Sequence, residues 1–285
     1  MTALATPPTR PATPAVTTRP VTFGRVLAAE WLKVRTVRST VWTLAVTVLA
    51  MVGISALFAW ASTTMSDEQA ASAGGTDLPA LLSAGVNLGQ LAVAVLGVLV
   101  VTSEYSTGMV RSTFAAVPRR LPVLAAKALV LTGVVVVATV VSMLLSYLVS
   151  LPFHDELGVT VDLADAEQLR RLAGLPLYLA GVALLGLAFG ALLRHTAGAM
   201  TAVIGLLLVV ETVFSLVPLR FFELVGPFLP STAGARVMYG EETLAMIDGM
   251  RDTVSLTPWQ GYGVMIAWVV VLGGVAAVLL RRRDA

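Results

Sequence analysis

The residues of this chain that can do chemistry are few, and their densest set is basic. Glu104, Tyr105, Thr107, Gly108 and Arg111, followed by Pro118, Arg119, Arg120 and Lys127, fill one interval between two apolar runs, Val86 to Thr102 and Ala128 to Ser150. One carboxylate among arginines and a lysine is an ion-pairing and docking set. Written as a helix from Glu104, the interval places Glu104, Thr107 and Arg111 on one side and Met109, Val110, Phe114 and Val117 on another. One face then suits lipid or neighbouring helices, and the other suits water or a protein. Gly108 admits another backbone closely, Pro118 ends the helix, and Arg119 and Arg120 anchor at headgroups. Such a segment receives force from a partner at a membrane face.

Three further sets carry polar chemistry. In Phe23 to Arg38 the residues Phe23, Val26, Leu27, Trp31, Val34 and Val37 share an apolar face, with Arg25, Lys33 and Arg35 off it. Leu32 breaks the pattern. This helix is expected to lie in the interface, its cations near anionic headgroups. Glu30 falls in the middle of the apolar face. It either snorkels or pairs locally with Lys33 or Arg35, or it is the fixed partner of a base on another membrane-proximal segment. Asn87 and Gln90, three apart, either line a substrate route or pack between helices. Glu211 is the acid placed inside an apolar run, where lipid exposure costs at least a few kcal/mol. It serves either a function facing the bundle or a partner subunit, or packing as a protonated group near Thr212 and Ser215.

No catalytic set emerges. The sequence has no G-x-x-x-x-G-K-[ST] phosphate loop, no H-E-x-x-H zinc motif and no G-x-S-x-G elbow. With no cysteine, disulfides and thiolate metal sites are excluded. His154 and His195, the only histidines, fall on opposite sides of the predicted membrane. No metal site and no cofactor of this chain is predicted. Basic residues without interleaved aromatics give no nucleic-acid platform.

The elements that must position these residues are membrane spans. Hydrophobic residues make up 57% of the chain and charged ones 13%, and the apolar content comes in blocks near the 20 residues a helix needs to cross a bilayer. An all-α fold with six spans is predicted at about 41–61, 86–102, 128–150, 175–193, 199–217 and 259–280. Residues 1–22, rich in Pro, Thr and Ala, are read as a disordered cytoplasmic tail ahead of a single membrane domain, 23–285. Basic residues gather before the first span, after the second, at Arg194 and at Arg281-Arg282-Arg283. Acids gather in the other loops, with Arg170 and Arg171 as exceptions. The positive-inside rule then puts both termini in the cytoplasm. Gly186 and Gly190 form a small-xxx-small pair for helix packing. Phe221-Phe222, Leu224-Val225 and Phe228-Leu229 are too short to span and read as re-entrant or interfacial. Glu241 to Asp252 reads as a short exposed helix.

Glu104, Gly108, Arg111, Pro118, Arg119, Arg120 and Lys127, set between spans two and three, resemble the signature of the ABC-2 type transporter permeases. Glu30-Trp31-Leu32-Lys33-Val34-Arg35 resembles that family's N-terminal connecting, or elbow, helix. The resemblance covers nearly the whole chain after the tail. It implies a plasma-membrane exporter subunit that forms a homodimer or heterodimer. It also implies a separately encoded ATP-binding cassette subunit that holds ATP and Mg and presses on a coupling helix after span two. A region between spans five and six would re-enter from outside. The first external loop is too short for the large extracytoplasmic domain of some lipoprotein-handling exporters. The cargo class that fits apolar spans is hydrophobic or amphipathic: a drug, antibiotic, peptide or lipid-like compound. The rival readings are a secondary transporter driven by an ion gradient and a membrane scaffold or sensor.

Overall fold

Val, Leu and Ala runs form helices at membrane length because a helix satisfies its own backbone without water. The structure, a computed structural model, describes residues 22–64, 77–116, 120–160, 162, 164–249 and 254–282. Six of its helices are long and apolar enough to cross a membrane: Arg38–Ser62, Val86–Ser106, Arg120–Leu157, Ala166–Leu193, Thr196–Leu216 and Pro258–Arg282. No strand occurs among the described residues. All six predicted spans lie inside these helices to within a residue or so, and the chain is a multi-pass helical membrane protein by length and composition.

The helices run past the predicted boundaries, and this relocates two groups. The second span continues to Ser106, so Glu104 and Tyr105 belong to its last turn. Gly108 follows at φ 73°, a left-handed conformation that favours glycine, and breaks the chain before a separate helix, Met109–Ala116. The single helix expected from Glu104 through Arg111 is therefore two. Among the described residues nothing lies within 4 Å of a Cβ built on Gly108, so another backbone has room to approach it. The third span begins at Arg120, which puts Lys127 in its second turn. Pro118, Arg119 and the side chain of Arg111 lie outside the described residues, as do residues 1–21 of the predicted tail.

The fourth span is the axis of the bundle. In its most apolar stretch 67% is buried, against 17–28% for the first, third, fifth and sixth spans. It packs along the second, third, fifth and sixth spans, with Leu175, Leu179, Val182 and Leu185 fully covered. Its closest neighbour is the second span. A Cβ built on Gly186 would stand 2.2 Å from Ala94 O, and one on Gly97 would stand 2.1 Å from Ala183 O. Those backbones touch, as the Gly186–Gly190 spacing predicts. The amphipathic helix Phe23–Thr36 packs against the third span. Its buried stripe is Val26 and Glu30, while Phe23, Trp31 and Leu32 point outward. The expected single apolar face is thus split between bundle and surroundings.

The two ends of the bundle differ in charge. One end carries Arg25, Lys33, Arg35, Arg38, Arg120, Lys127, Arg194, Arg281 and Arg282; the other carries most of the acids. At the acidic end the chain after the fifth span forms short helices, Arg220–Val225, Pro230–Ala235 and Glu241–Gly249. Glu241–Gly249 falls within the exposed helix predicted there. Pro230–Ala235 is buried against the fourth and sixth spans.

Candidate functional site

Four ionisable side chains meet at the basic end, drawn from three helices. Glu30 and Lys33 come from Phe23–Thr36, Glu104 from the end of the second span, and Lys127 from the start of the third. Lys127 Nζ donates to Glu104 Oε1 at 2.6 Å, to Glu30 Oε2 at 2.8 Å and to Val100 O at 3.2 Å. An ammonium has three N–H donors, so this one is fully used. Lys33 Nζ donates to Glu30 Oε1 at 2.6 Å and to Glu104 Oε1 at 2.7 Å. Two carboxylates and two ammoniums balance, which is why the group tolerates burial at all. The side chains of Glu30, Glu104 and Lys127 are 5–6% exposed, and that of Lys33 is 27% exposed toward the surface.

The local sequence explains the meeting. Glu30 and Lys33 are one helical turn apart and so present to the same neighbour. Glu30 both pairs locally with Lys33 and reaches a base on another segment, so the two readings open from the sequence hold together. Desolvation pulls the Lys33 ammonium down, but the hydrogen bonds to Glu104 and Glu30 and their negative charge outweigh it and raise its pKa. A cleft borders the cluster. Met109, the first residue of the short helix after Gly108, lines it together with Lys33, Val37 and Ser103.

The remaining predicted residues scatter. Tyr105 lies one residue from Glu104 but faces the Arg194 guanidinium, 5.3 Å from its ring centroid. Thr107 is exposed, and its hydroxyl donates back to Ser103 O at 2.8 Å. Arg120 donates from Nη1 to Leu280 O at 2.8 Å and so ties the third span to the sixth. Trp31 and Arg35 are exposed outside the cluster. Asn87 is exposed whereas Gln90 is buried and accepts the hydroxyl of Tyr178.

Glu211 lies at the opposite end from the cluster. Its carboxylate accepts Ser231 N–H at 2.8 Å, Thr232 Oγ1 at 3.0 Å and the Ser231 hydroxyl. Local sequence pointed to Thr212 and Ser215, and it could not foresee these partners about 20 positions away. A π-helical turn, Gly205–Val210, immediately precedes it.

Two arrangements at the acidic end had only indirect signals in the sequence. Arg236 Nη1 and Nη2 form a two-pronged pair with Asp248 at 3.0 and 2.7 Å, and its Nε donates to Leu256 O at 2.6 Å. Hydrogen bonding to Arg236 holds the Asp248 carboxyl below the usual range. Arg170 donates to Val237 O and Tyr239 O, both at 3.1 Å, and Arg171 pairs with Asp77. The breach of the charge rule at these two arginines was their signal: they staple loops.

Among the described residues no group of three or more His, Cys, Asp or Glu side chains is placed to hold a metal. The class that fold and site define is a six-helix membrane bundle with a buried, charge-balanced joint at its basic end. No protein-family model matches the chain, and no curated protein matches it.

Proposed function

We propose that this chain is the membrane-spanning permease subunit of an ATP-driven ABC exporter of the ABC-2 type. In this reading the basic end faces the cytoplasm. A separately encoded cassette subunit binds ATP with magnesium and docks there, and two permease chains make the pathway. The cargo is hydrophobic or amphipathic.

The joint of Glu30, Lys33, Glu104 and Lys127 carries the reading. A chain without a phosphate loop of its own needs a place where an outside motor can push. Helix Met109–Ala116 hangs from the second span by the Gly108 break, four residues beyond Glu104. Glu104 is tied to the interfacial helix and to the third span by charged hydrogen bonds. Parting them would bury unpaired charge at several kcal/mol, so the three helices answer a push together. A proton relay has less support, because Glu211 sits a bundle length from the other buried acids.

The test is co-expression with a separately encoded ATP-binding subunit, sought first in the neighbouring reading frame, followed by reconstitution in proteoliposomes. Cargoes would first be drawn from a toxin panel on a deletion strain. Recovery of a complex whose ATP hydrolysis drives efflux supports the proposal. Transport that follows a proton or sodium gradient without ATP makes it a secondary transporter, and a chain that transports nothing is a scaffold or sensor.

A further inference from the structure

Glu30 and Glu104 each meet two ammoniums. Glu211, more than a turn inside the fifth span Thr196–Leu216, meets none. Among the described residues no Lys or Arg forms an ion pair with it. Its titratable neighbours are the phenols of Tyr178 and Tyr239, which carry no positive charge.

The three partners of Glu211 are neutral donors. Ser231 N–H donates to Oε1, and the hydroxyls of Ser231 and Thr232 donate to Oε2. A carboxylate has about four acceptor positions, so one, on Oε1, stays open. Holding the loop accounts for the three hydrogen bonds but not for the negative charge, which is expensive at membrane depth.

The surroundings of this carboxylate are apolar and open. Glu211 is half-buried, and Thr232 beside it is exposed. Leu208, Val213 and Leu216 of the same span point outward. Phe214, three residues on and so on the same side of the helix, meets Phe222 edge-on with ring centroids 4.5 Å apart. Phe221 packs against both rings and is itself exposed. Lipid tails cover such rings well, but they cannot compensate a carboxylate.

We propose that this face binds an amphipathic organic cation, whose ammonium donates to the open position on Glu211 while its apolar body lies against Phe214 and the neighbouring rings. A protonated amine supplies both the missing charge and the missing N–H. Phenyl faces add to this, because they attract cations. A neutral or anionic amphiphile would fit the rings and leave the carboxylate uncompensated. A bare metal ion would leave the rings unused, and the described residues place no cluster of acids here to hold one. As a statement about cargo the inference rests on the export reading, which it narrows to cations; the binding itself needs no exporter.

The experiment uses the full chain in phosphatidylcholine nanodiscs with two probes of one shape, naphthylethylamine, protonated at neutral pH, and naphthylethanol, which is uncharged. Equilibrium dialysis, with empty discs subtracted, gives the affinity of each. The chain should bind the amine about tenfold more tightly than the alcohol, the worth of one charge-assisted hydrogen bond. Glu211→Gln should bring the amine down to the affinity of the alcohol and leave the alcohol unchanged. Glu211→Asp keeps the charge and should keep the preference, which covers the case of a glutamine variant that does not fold. Phe214→Ala should weaken both probes together. The proposal is overturned if the unaltered chain shows no preference for the amine, or if Glu211→Gln retains that preference. It is also overturned if Glu211→Gln weakens both probes equally, which would make Glu211 a loop anchor alone. Displacement of the amine by sodium ions at matched concentration would make this an inorganic cation site and overturn it too. Amine binding without ATP-driven efflux would remove the export reading and leave this one standing, whereas efflux of the alcohol but not the amine would do the reverse.

Discussion

Lys127 Nζ stands 2.6 Å from Glu104 Oε1, with the two side chains 6% and 5% exposed. The pair joins the start of the third span to the end of the second. Glu30 and Lys33 complete it from a helix that lies outside the six spans. A single buried pair rarely adds net stability, because desolvating two ions offsets most of their attraction. Four alternating charges do better, since Lys127 meets two carboxylates and a carbonyl, and each carboxylate meets two ammoniums. What such a joint supplies is a fixed relative position of three helices, with a penalty for any motion that separates them.

Removing one member should therefore cost more than the joint contributes as a whole. Lys127→Met leaves Glu30 and Glu104 sharing Lys33 alone, and should destabilise by about 3–5 kcal/mol. Adding Glu104→Gln to it removes the surplus charge and should restore part of the loss. Thermal unfolding of the single and double variants in detergent measures both. A double variant that melts below Lys127→Met would contradict the charge-balance argument.

The joint also fixes a pH dependence. Lys33 has a folded-state pKa above its ordinary value of 10.5, because its two carboxylate partners outweigh desolvation. The folded state therefore holds this proton more tightly than the unfolded chain does. The stabilisation is complete below 10.5 and is lost as pH rises through the higher folded value. Melting temperature should fall on the alkaline side of that point, and Lys33→Met should flatten the fall while lowering the plateau. Identical alkaline slopes in the two proteins would remove Lys33 from the account.

Much of this fold is legible in the sequence, because helix length and apolar content are local properties. All six helices appear there, and Gly186–Gly190 marks the tightest contact from spacing alone. Glu30 stands out as an acid on an apolar face. Its partners do not, because Lys127 is 97 positions away and periodicity reports a helix face without saying which neighbour that face meets. The extension of one helix from Glu104 to Arg111 fails for a different reason. Its periodicity continues through Gly108, whose positive φ interrupts the backbone without disturbing the pattern. Arg194 shows neither signal, since its fit depends on a backbone angle and on a ring 89 positions away in sequence (194 − 105).

Close backbone contact between the second and fourth spans should make Gly186 intolerant of any side chain. A Cβ there would stand 2.2 Å from Ala94 O, a backbone atom that cannot rotate away. Gly186→Leu should cost about 3 kcal/mol or more, the upper part of the range for overpacking, and should lower the yield of folded protein. Gly133 has nothing among the described residues within 4 Å of a built Cβ, so Gly133→Ala should be neutral or stabilise by about 0.5–1 kcal/mol. Melting temperatures of the two variants separate a packing role from a general dislike of glycine replacement.

If the proposed function holds, charge reversal in the short helix should uncouple without unfolding. Arg111→Glu sits in Met109–Ala116, beyond the Gly108 break and outside the buried joint. It should leave membrane insertion and melting temperature unchanged while lowering cargo-stimulated ATP hydrolysis by the partner subunit. Reversal at Glu104 cannot test this cleanly, because a lysine there would put three ammoniums against Glu30 and destabilise the joint. Normal transport by Arg111→Glu would remove this helix from the coupling path.

At the acidic end, Glu211 should act as the anchor of the loop that follows the fifth span. Its carboxylate accepts the N–H and hydroxyl of Ser231 and the hydroxyl of Thr232, and so holds the start of Pro230–Ala235 against the bundle. Glu211→Leu leaves these donors without an acceptor, at about 1–3 kcal/mol for each group that stays buried. Ser231 is buried and Thr232 is exposed, so the cost falls mainly on Ser231. Glu211→Leu should speed protease cleavage within 218–257 while leaving the basic end intact, as a spin-label distance between helix Phe23–Thr36 and the third span would show. A Glu211→Gln variant can still accept with one oxygen and should fall between wild type and leucine. Equal cleavage rates in all three variants would mean the loop is held by the Arg236–Asp248 pair instead.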